Sequence, residues 1–401
     1  MIPQKRPHLN FFDILSVLSL KNAHHKFEQA VANHANARYG VAFAYAHSGF
    51  LALLKVLNLS QTEIILPAYT CDIMAETIVV TGNVPVFVDI NLNDYNMDLD
   101  ELKTAISPKT SAIIATHLFG YPIDVDAVRH LSGDERILIV EDAALTFPGS
   151  RKLRGDVGMF SFGSGKPLFT VRGGVIVTND AKIYEQLKAY RDQQMNKISP
   201  TQLGKRLVRL IITYLSSKNF FYQLSHRLNS DQSSYDRPTT QLPIDYNSGY
   251  ANFQAQLGLA QLRRSPHFLS RRRQIAECYD NLLQGIAGLT LAPLIEEASY
   301  SHYTIRVKKR DHIKFSQKMR MKNIETGRTF DYALPTLKKY KSYVHKPFPC
   351  AEQAGQEVVN LPLYTGLSQK QIHYIADSIG QILQENNEVD SKSIQPAGGL
   401  L

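Results

Sequence analysis

The sequence contains no tryptophan and three cysteines, Cys71, Cys278 and Cys350. An odd number of widely spaced cysteines with no C-x-x-C pair argues against a disulfide framework and offers no zinc spacing, so no metal site is expected. No apolar run approaches the roughly 18 residues that a spanning helix needs. Lys5 and Arg6 precede the stretch Phe11-Phe12-Asp13-Ile14-Leu15. Asp13 interrupts that stretch and no small-residue cleavage site follows, which argues against a secretory signal. Acidic residues are in deficit, 36 against 45 Lys and Arg, for a net charge of +9. Together these features read as a reduced, cytoplasmic chain.

The 401 residues are 44% hydrophobic and 20% charged, an ordinary globular balance that suffices for two domains. The expected organisation is a large domain over 1–190, a basic apolar insertion over 191–245, a smaller C-terminal domain over 246–385, and a flexible polar tail over 386–401. The positive charge is concentrated. Eight Lys or Arg and three Asp lie between Tyr190 and Thr240. Residues 201–228 read as one or two helices in which Leu207, Val208, Leu210, Ile211, Ile212, Tyr214 and Leu215 are surrounded by Lys205, Arg206, Arg209, Lys218 and Arg227. This composition suits a helix lying on an anionic membrane surface, at the inner face of the membrane. It equally suits a lid or a dimer-packing helix pair with its apolar face buried. No helix-turn-helix or zinc module accompanies the basic cluster, so no nucleic-acid partner is expected.

The first half alternates short β-rich runs with helical patterns. Candidate strands lie at 41–46, 63–66, 84–88, 111–116, 136–140, 159–162 and 175–178, several of them nearly continuous apolar runs, as expected of strands covered on both faces. One intervening helix begins at Asp98-Leu99-Asp100-Glu101 with the look of a capping box. The repeated β-then-α order predicts an α/β fold with a mainly parallel sheet. A polar loop is expected over 229–240, one long helical pattern from Tyr250 to Leu283, and a short strand at 304–308.

Two segments carry chemistry. Ile139-Val140-Glu141-Asp142 is an apolar strand ending in a carboxylate, and Met159-Phe160-Ser161-Phe162-Gly163-Ser164-Gly165-Lys166 is a strand entering a Gly-rich turn with one lysine. Ligands of open α/β sheets sit at the carboxyl ends of strands, where both residues fall. Pyridoxal phosphate needs this pair: an amine to join its aldehyde and an acid to hold a proton on its ring nitrogen. Its phosphate needs backbone N–H groups and hydroxyls, which Ser48-Gly49-Phe50 at a helix start, with Ser161 and Ser164, would offer. Taken singly, a strand-end Asp is also a turn residue and a lysine after glycines is also a surface residue. Spacing alone stops at an α/β enzyme.

The order of the motifs carries further. Ser48-Gly49, Ile65-Leu66-Pro67-Ala68-Tyr69-Thr70, Thr116-His117-Leu118-Phe119-Gly120, Glu141-Asp142-Ala143-Ala144, Phe160-Ser161-Phe162, Gly165-Lys166, Gly173-Gly174-Val175, Gln254-Ala255-Gln256-Leu257-Gly258 and Leu361-Pro362-Leu363-Tyr364 follow one another in a sequence that resembles the DegT/DnrJ/EryC1/StrS sugar aminotransferases. The resemblance covers most of the chain. It implies pyridoxal phosphate fold type I, with a large, mainly parallel seven-stranded sheet domain and a smaller α+β domain. It implies transfer of an amino group from an amino acid, commonly glutamate, to a keto-sugar that is typically nucleotide-linked, as in surface polysaccharide synthesis. Lys166 is then the lysine that joins the cofactor and shuttles the proton. Asp142 is the partner of the ring nitrogen. Ser161 and the backbone of Gly49 and Phe50 contact the phosphate, and Asn247 reaches the phosphate from the neighbouring subunit of a homodimer. His117 lies in a family motif, with no chemical step assigned.

Four positions depart from the family: Leu145 after the Asp-Ala-Ala run, Cys71 where an aromatic residue often stacks on the cofactor ring, Phe50 in place of Thr, and Gly249 in place of Arg. They imply either weakened cofactor contacts or a rebuilt pocket in which Phe50 or Tyr69 supplies the stacking face. A sugar dehydratase or deaminase on the same cofactor, and a noncatalytic scaffold using the old fold, are the alternatives. The retained Lys166 and Asp142 favour amino transfer.

Overall fold

The computed structural model describes residues 1–19, 21–146, 152–217, 242–243, 245–308 and 312–393. The helix α1 (Phe11–Ser16) is followed by α2 (His24–His34), β1 (Tyr39–Phe43), α3 (Ala46–Val56), β2 (Glu63–Pro67), α4 (Asp72–Val80), β3 (Val84–Val88) and α5 (Leu99–Ala105). Then come β4 (Thr110–Thr116), α6 (Val125–Ser132), β5 (Leu138–Asp142), β6 (Val157–Ser161) and β7 (Gly174–Thr178). These seven strands form one sheet in the order β1-β7-β6-β5-β4-β2-β3. All seven expected strands are present. The first ends earlier than expected, because Ala46 already belongs to α3.

The pairs β2–β3, β2–β4, β4–β5 and β5–β6 are parallel, whereas β7 runs antiparallel to both β6 and β1. The reversal has a simple cause. No helix separates β6 from β7, so the chain turns back directly and the turn carries Lys166. The carboxyl ends of β1, β4, β5 and β6 and the start of β7 therefore share one edge. At the start of α5, Asp98 caps the N–H groups of Asp100 and Glu101. Glu101 pairs with Lys346 instead of completing the box.

The basic segment begins with α7 (Ala181–Gln194), which crosses the boundary expected at 190, and continues as α8 (Pro200–Ser216), opened by a Ser199–Gln202 capping box. The expected loop over 229–240 and the second half of the basic segment lie outside the described residues. The expected long helix is two: α9 (Asn252–Leu262) and α10 (Ser265–Leu283), with Pro266 in the first turn of the second. Proline lacks the N–H that would continue the ladder, so the break falls there. A second sheet, β10-β9-β8, is built from β8 (Leu289–Leu291), β9 (Tyr303–Val307) and β10 (Val358–Leu361), all antiparallel. It is flanked by α11 (His312–Met321), α12 (Pro349–Glu357) and α13 (Gln369–Ser393). The helix α13 continues through 386–393, where a flexible tail was expected. That stretch holds no Gly or Pro to stop it.

One apolar core runs from Phe43, Phe50 and Leu66 through Tyr69 and Phe119 to Tyr303, Phe330 and Leu361, joining the two sheets. The first residues are strapped to the second sheet. Ile2 bridges Ile324, the Gln4 N–H donates to Glu325, and the Leu363 N–H donates to the Gln4 carbonyl.

Candidate active site

The shared edge collects the chemistry. Asp142 ends β5 opposite Thr116 of β4 and Met159 of β6, and its side chain is buried. Its carboxylate accepts the Ala144 N–H at 3.0 Å. Burial pushes its carboxyl above the usual aspartate range, against the pull of the Ala144 N–H and the charges of Lys166 and His117. The charge of Lys166 acts on both the Asp142 carboxyl and the Cys71 thiol. Burial also raises the Cys71 thiol, with Lys166 pulling it back.

Beside Asp142, Glu141 faces the other way. His117 lies 2.9 Å from its carboxylate, and the N–H groups of Arg154 (2.5 Å) and Gly155 (2.6 Å) donate to it. Burial would raise the Glu141 carboxyl, but these donors outweigh it and hold it low. The Ile123 N–H donates to Nδ1 of His117, which leaves Nε2 to donate to Glu141. His117 is thus a buried clamp between β4 and β5.

A second group of residues forms a cradle. A Cβ on Gly174 would lie 2.3 Å from the backbone nitrogen of Ala46, so the absence of a side chain lets the start of α3 close onto β7. Gly174 pairs with Ser161, which brings that serine beside the same helix start. The first-turn N–H groups of α3 belong to Ala46, His47 and Ser48 and have no partner within the helix. Gly49 differs from expectation. Its N–H already donates to the Tyr45 carbonyl at 3.3 Å, and a Cβ there would meet Ile176 at 2.5 Å. Close packing of α3 on β7 is what this glycine provides. The Phe50 side chain is fully buried in the core. Tyr69 is buried too, its ring against Phe119 and Phe330 and its hydroxyl donating to the Phe330 carbonyl. Neither ring supplies a stacking face. From this loop, Cys71 is the side chain on which the charges of Lys166 and Asp142 act. Leu145 is buried in the main core.

The segment carrying Asn247 also lies at this cradle, within the same chain. Ser48 Oγ donates to the Tyr246 carbonyl at 2.5 Å, Tyr45 donates to Asp245 at 2.9 Å, and the Asn196 N–H donates to the Asn247 carbonyl at 2.7 Å. Several residues that sequence reasoning passed over complete the surroundings. Arg172 pairs with Asp245 and sits 5.2 Å over the Tyr45 ring. Arg209 of α8 donates to Ser164 at 3.0 Å. His47 stacks on Tyr45 at 4.7 Å, and its Nε2 is buried with no partner among the described residues. Burial lowers His47 to about 4. The position of His47 next to Ser48-Gly49 was the available signal.

These residues fit pyridoxal phosphate. The buried Asp142 carboxylate has no cation in hydrogen-bond contact among the described residues, which suits it to a protonated ring nitrogen. A glycine-made cradle of N–H groups suits a phosphate, and Lys166 supplies the amine. A cavity of about 830 Å³ between α2, α7 and residues 248–253 contains neither Lys166 nor Asp142 and is a separate feature.

The chain is similar to known proteins over most of its length. The chain is 26% identical over 375 residues to the spore coat polysaccharide biosynthesis protein SpsC of Bacillus subtilis, covering 90% of this chain and 89% of that one. It is 25% identical over 369 residues to the GDP-perosamine synthase of Escherichia coli O157:H7, covering 90% of each. The fold matches the crystal structure of the aminotransferase TlmJ from Streptoalloteichus hindustanus with a TM-score of 0.77 and 24% identity, over 96% of this chain and 100% of that one. A sequence model of the DegT/DnrJ/EryC1/StrS aminotransferase family matches residues 16–380, and the chain belongs to that family.

Proposed function

We propose that the chain is a pyridoxal phosphate-dependent aminotransferase that moves an amino group from an amino acid, glutamate in the first instance, to a nucleotide-linked keto-sugar. The convergence of Lys166 and Asp142 at one sheet edge, in a member of this family, carries the reading. Relatives at 25–26% identity bear the names of enzymes acting on GDP-, dTDP- and UDP-linked sugars, which supports a nucleotide-linked acceptor. When bound, the cofactor supplies an aldehyde that takes up the amino group and a ring that accepts electrons from the substrate carbon. Lys166 anchors it and moves a proton to and from that carbon with its Nζ. Asp142 holds the ring nitrogen protonated, and the first turn of α3 with Ser161 holds the phosphate.

The test is chemical. Borohydride reduction with pyridoxal phosphate, followed by peptide mass analysis, is expected to label Lys166, and glutamate is expected to yield stoichiometric 2-oxoglutarate. A wild-type protein that leaves Lys166 unlabelled refutes the reading.

Two further parts belong to the same proposal. The first is a homodimer in which Asn247 serves the neighbour's phosphate site. Mixing Lys166→Ala with Asn247→Ala protein would then regenerate activity, and no regeneration puts Asn247 to work within its own chain. The second is contact with an anionic membrane surface through α8. Val208, Ile211 and Ile212 are each more than half exposed there, beside exposed Lys205 and Arg209. Among the described residues no helix is long and apolar enough to cross a membrane.

A further inference from the structure

The N-terminal strap delivers a second amine to the pocket. Lys5 follows Gln4, which is fixed to Glu325 and Leu363, and precedes Arg6, whose guanidinium lies 5.1 Å from the Tyr364 ring. Its Nζ lies 3.6 Å from where a Cβ on Gly165 would stand, against the turn that presents Lys166. The half-buried Lys5 makes no hydrogen bond among the described residues, and Glu325 is the acid within its electrostatic reach. Burial, with the charges of Lys166 and Arg272, lowers its ammonium to about 7.

His302 stands on the other side. It is 1% exposed, and its Nε2 is buried with no partner among the described residues. Ser301 Oγ lies 2.9 Å from Nδ1. With that hydroxyl donating to Nδ1, Nε2 carries the hydrogen and is a donor aimed at nothing within the described chain. His302 is within reach of the charges of Lys5, Arg272 and Lys166. Arg272 itself is fastened to the carbonyls of Tyr300 (2.8 Å) and Ser301 (3.0 Å), so it adds positive potential from below. Arg272 also reaches His8 Nε2 at 3.3 Å, so one guanidinium joins the turn that carries His302 to the N-terminal strap that carries Lys5.

A pocket of this sign, with a donor lacking an acceptor, is built for an anion. We infer that Lys5 and His302 form the seat for the α-carboxylate of the amino donor. The inference rests on the aminotransferase reading above. The chemistry selects this group: the donor's α-carbon must come within reach of Lys166 Nζ, and its carboxylate is bonded to that same carbon. The N-terminal strap is then a specificity element, tying recognition of the donor to the docking of Ile2 and Gln4 beside the second sheet.

The test compares L-glutamate with 4-aminobutyrate, which keeps the amine and the distal carboxylate but lacks the α-carboxylate. On protein loaded with pyridoxal phosphate, Lys5→Gln is expected to raise the apparent Kd for glutamate roughly 10- to 100-fold, the loss of one charge-assisted contact. It should leave 4-aminobutyrate unchanged, and Lys5→Arg should retain most of the glutamate affinity. Equal weakening for both amines assigns Lys5 to the distal carboxylate and overturns the proposal. So does an unchanged glutamate Kd, or weakening confined to UDP or dTDP binding, which would assign the pocket to a nucleotide phosphate. Borohydride labelling of Lys166 in the same samples separates the two claims. Unlabelled wild type brings down the aminotransferase reading and this seat with it, whereas labelled wild type with unaltered Lys5→Gln binding brings down the seat alone. Matching thermal melts exclude misfolding of the variant as the cause.

Discussion

The guanidinium of Arg206 lies buried against the carbonyl oxygen of Gly249, 2.9 Å away. The same group donates to the Gln254 side chain at 3.0 Å and to Ser248 Oγ at 2.6 Å. Gln254 in turn donates to the carbonyls of Thr170 and Arg172. The family's arginine is missing at 249, where a Cβ would approach the Asn196 carbonyl to 2.9 Å, and an arginine arriving from α8 fastens that backbone instead. Arg206→Ala is expected to cost about 2–4 kcal/mol, since it strips a charged donor from buried acceptors. Urea unfolding measures this. Arg206→Lys should recover little, because one ammonium cannot reproduce the fork.

Asp142→Asn separates stability from chemistry. A carboxyl whose folded value is raised binds its proton more tightly in the folded chain, so its contribution falls as pH rises past the usual aspartate range. The cofactor-free Asn variant is therefore expected to match or exceed wild type in urea at pH 7, with the difference vanishing in acid. Added pyridoxal phosphate should reverse the order, since wild type gains from binding what the variant cannot.

Gly49→Ala tests packing against phosphate contact. The new methyl would meet Ile176 Cγ1 at 2.5 Å and Phe43 Cδ2 at 3.0 Å, and overpacking of this kind costs about 1–3 kcal/mol. Thermal unfolding should show the loss, while Lys166 labelling at saturating cofactor persists.

The exposed face of α8 gives a fourth test. Replacing Val208, Ile211 and Ile212 together by serine should leave the melting temperature nearly unchanged, because each is 51–55% exposed. Flotation with phosphatidylserine vesicles should fall to background. Equal flotation of variant and wild type defeats the membrane assignment.

How much of this was legible from the residues depended on distance along the chain. The seven strands declare themselves because both faces are covered and their residues are almost uniformly apolar, a local signal. Asp142 stood out because it ends such a strand, and Lys166 because a Gly-rich turn follows another. The second sheet was mostly missed: Leu289–Leu291 and Val358–Leu361 are too short to show a period. The break between α9 and α10 had a local marker in Pro266 that was outweighed by the apolar pattern on both sides. Phe50 or Tyr69 stood as one alternative for a stacking face because sequence gives a residue's loop but not which way its ring turns. Arg206 against Gly249 and Lys5 against Lys166 were out of reach, since nothing local records a partner supplied by a distant element.

The strap over the second sheet also governs the order of assembly. Gln4 is tied to Glu325, 321 residues away in sequence, and the bridge of Ile2 to Ile324 is as remote. Contacts of such separation form late, because the loop they close must first be ordered. In a chain leaving the ribosome, the first residues would therefore wait for 323–325 and 363 before they could dock. On the proposed assignment, the amine that seats the donor would then be the last part of the site to be set.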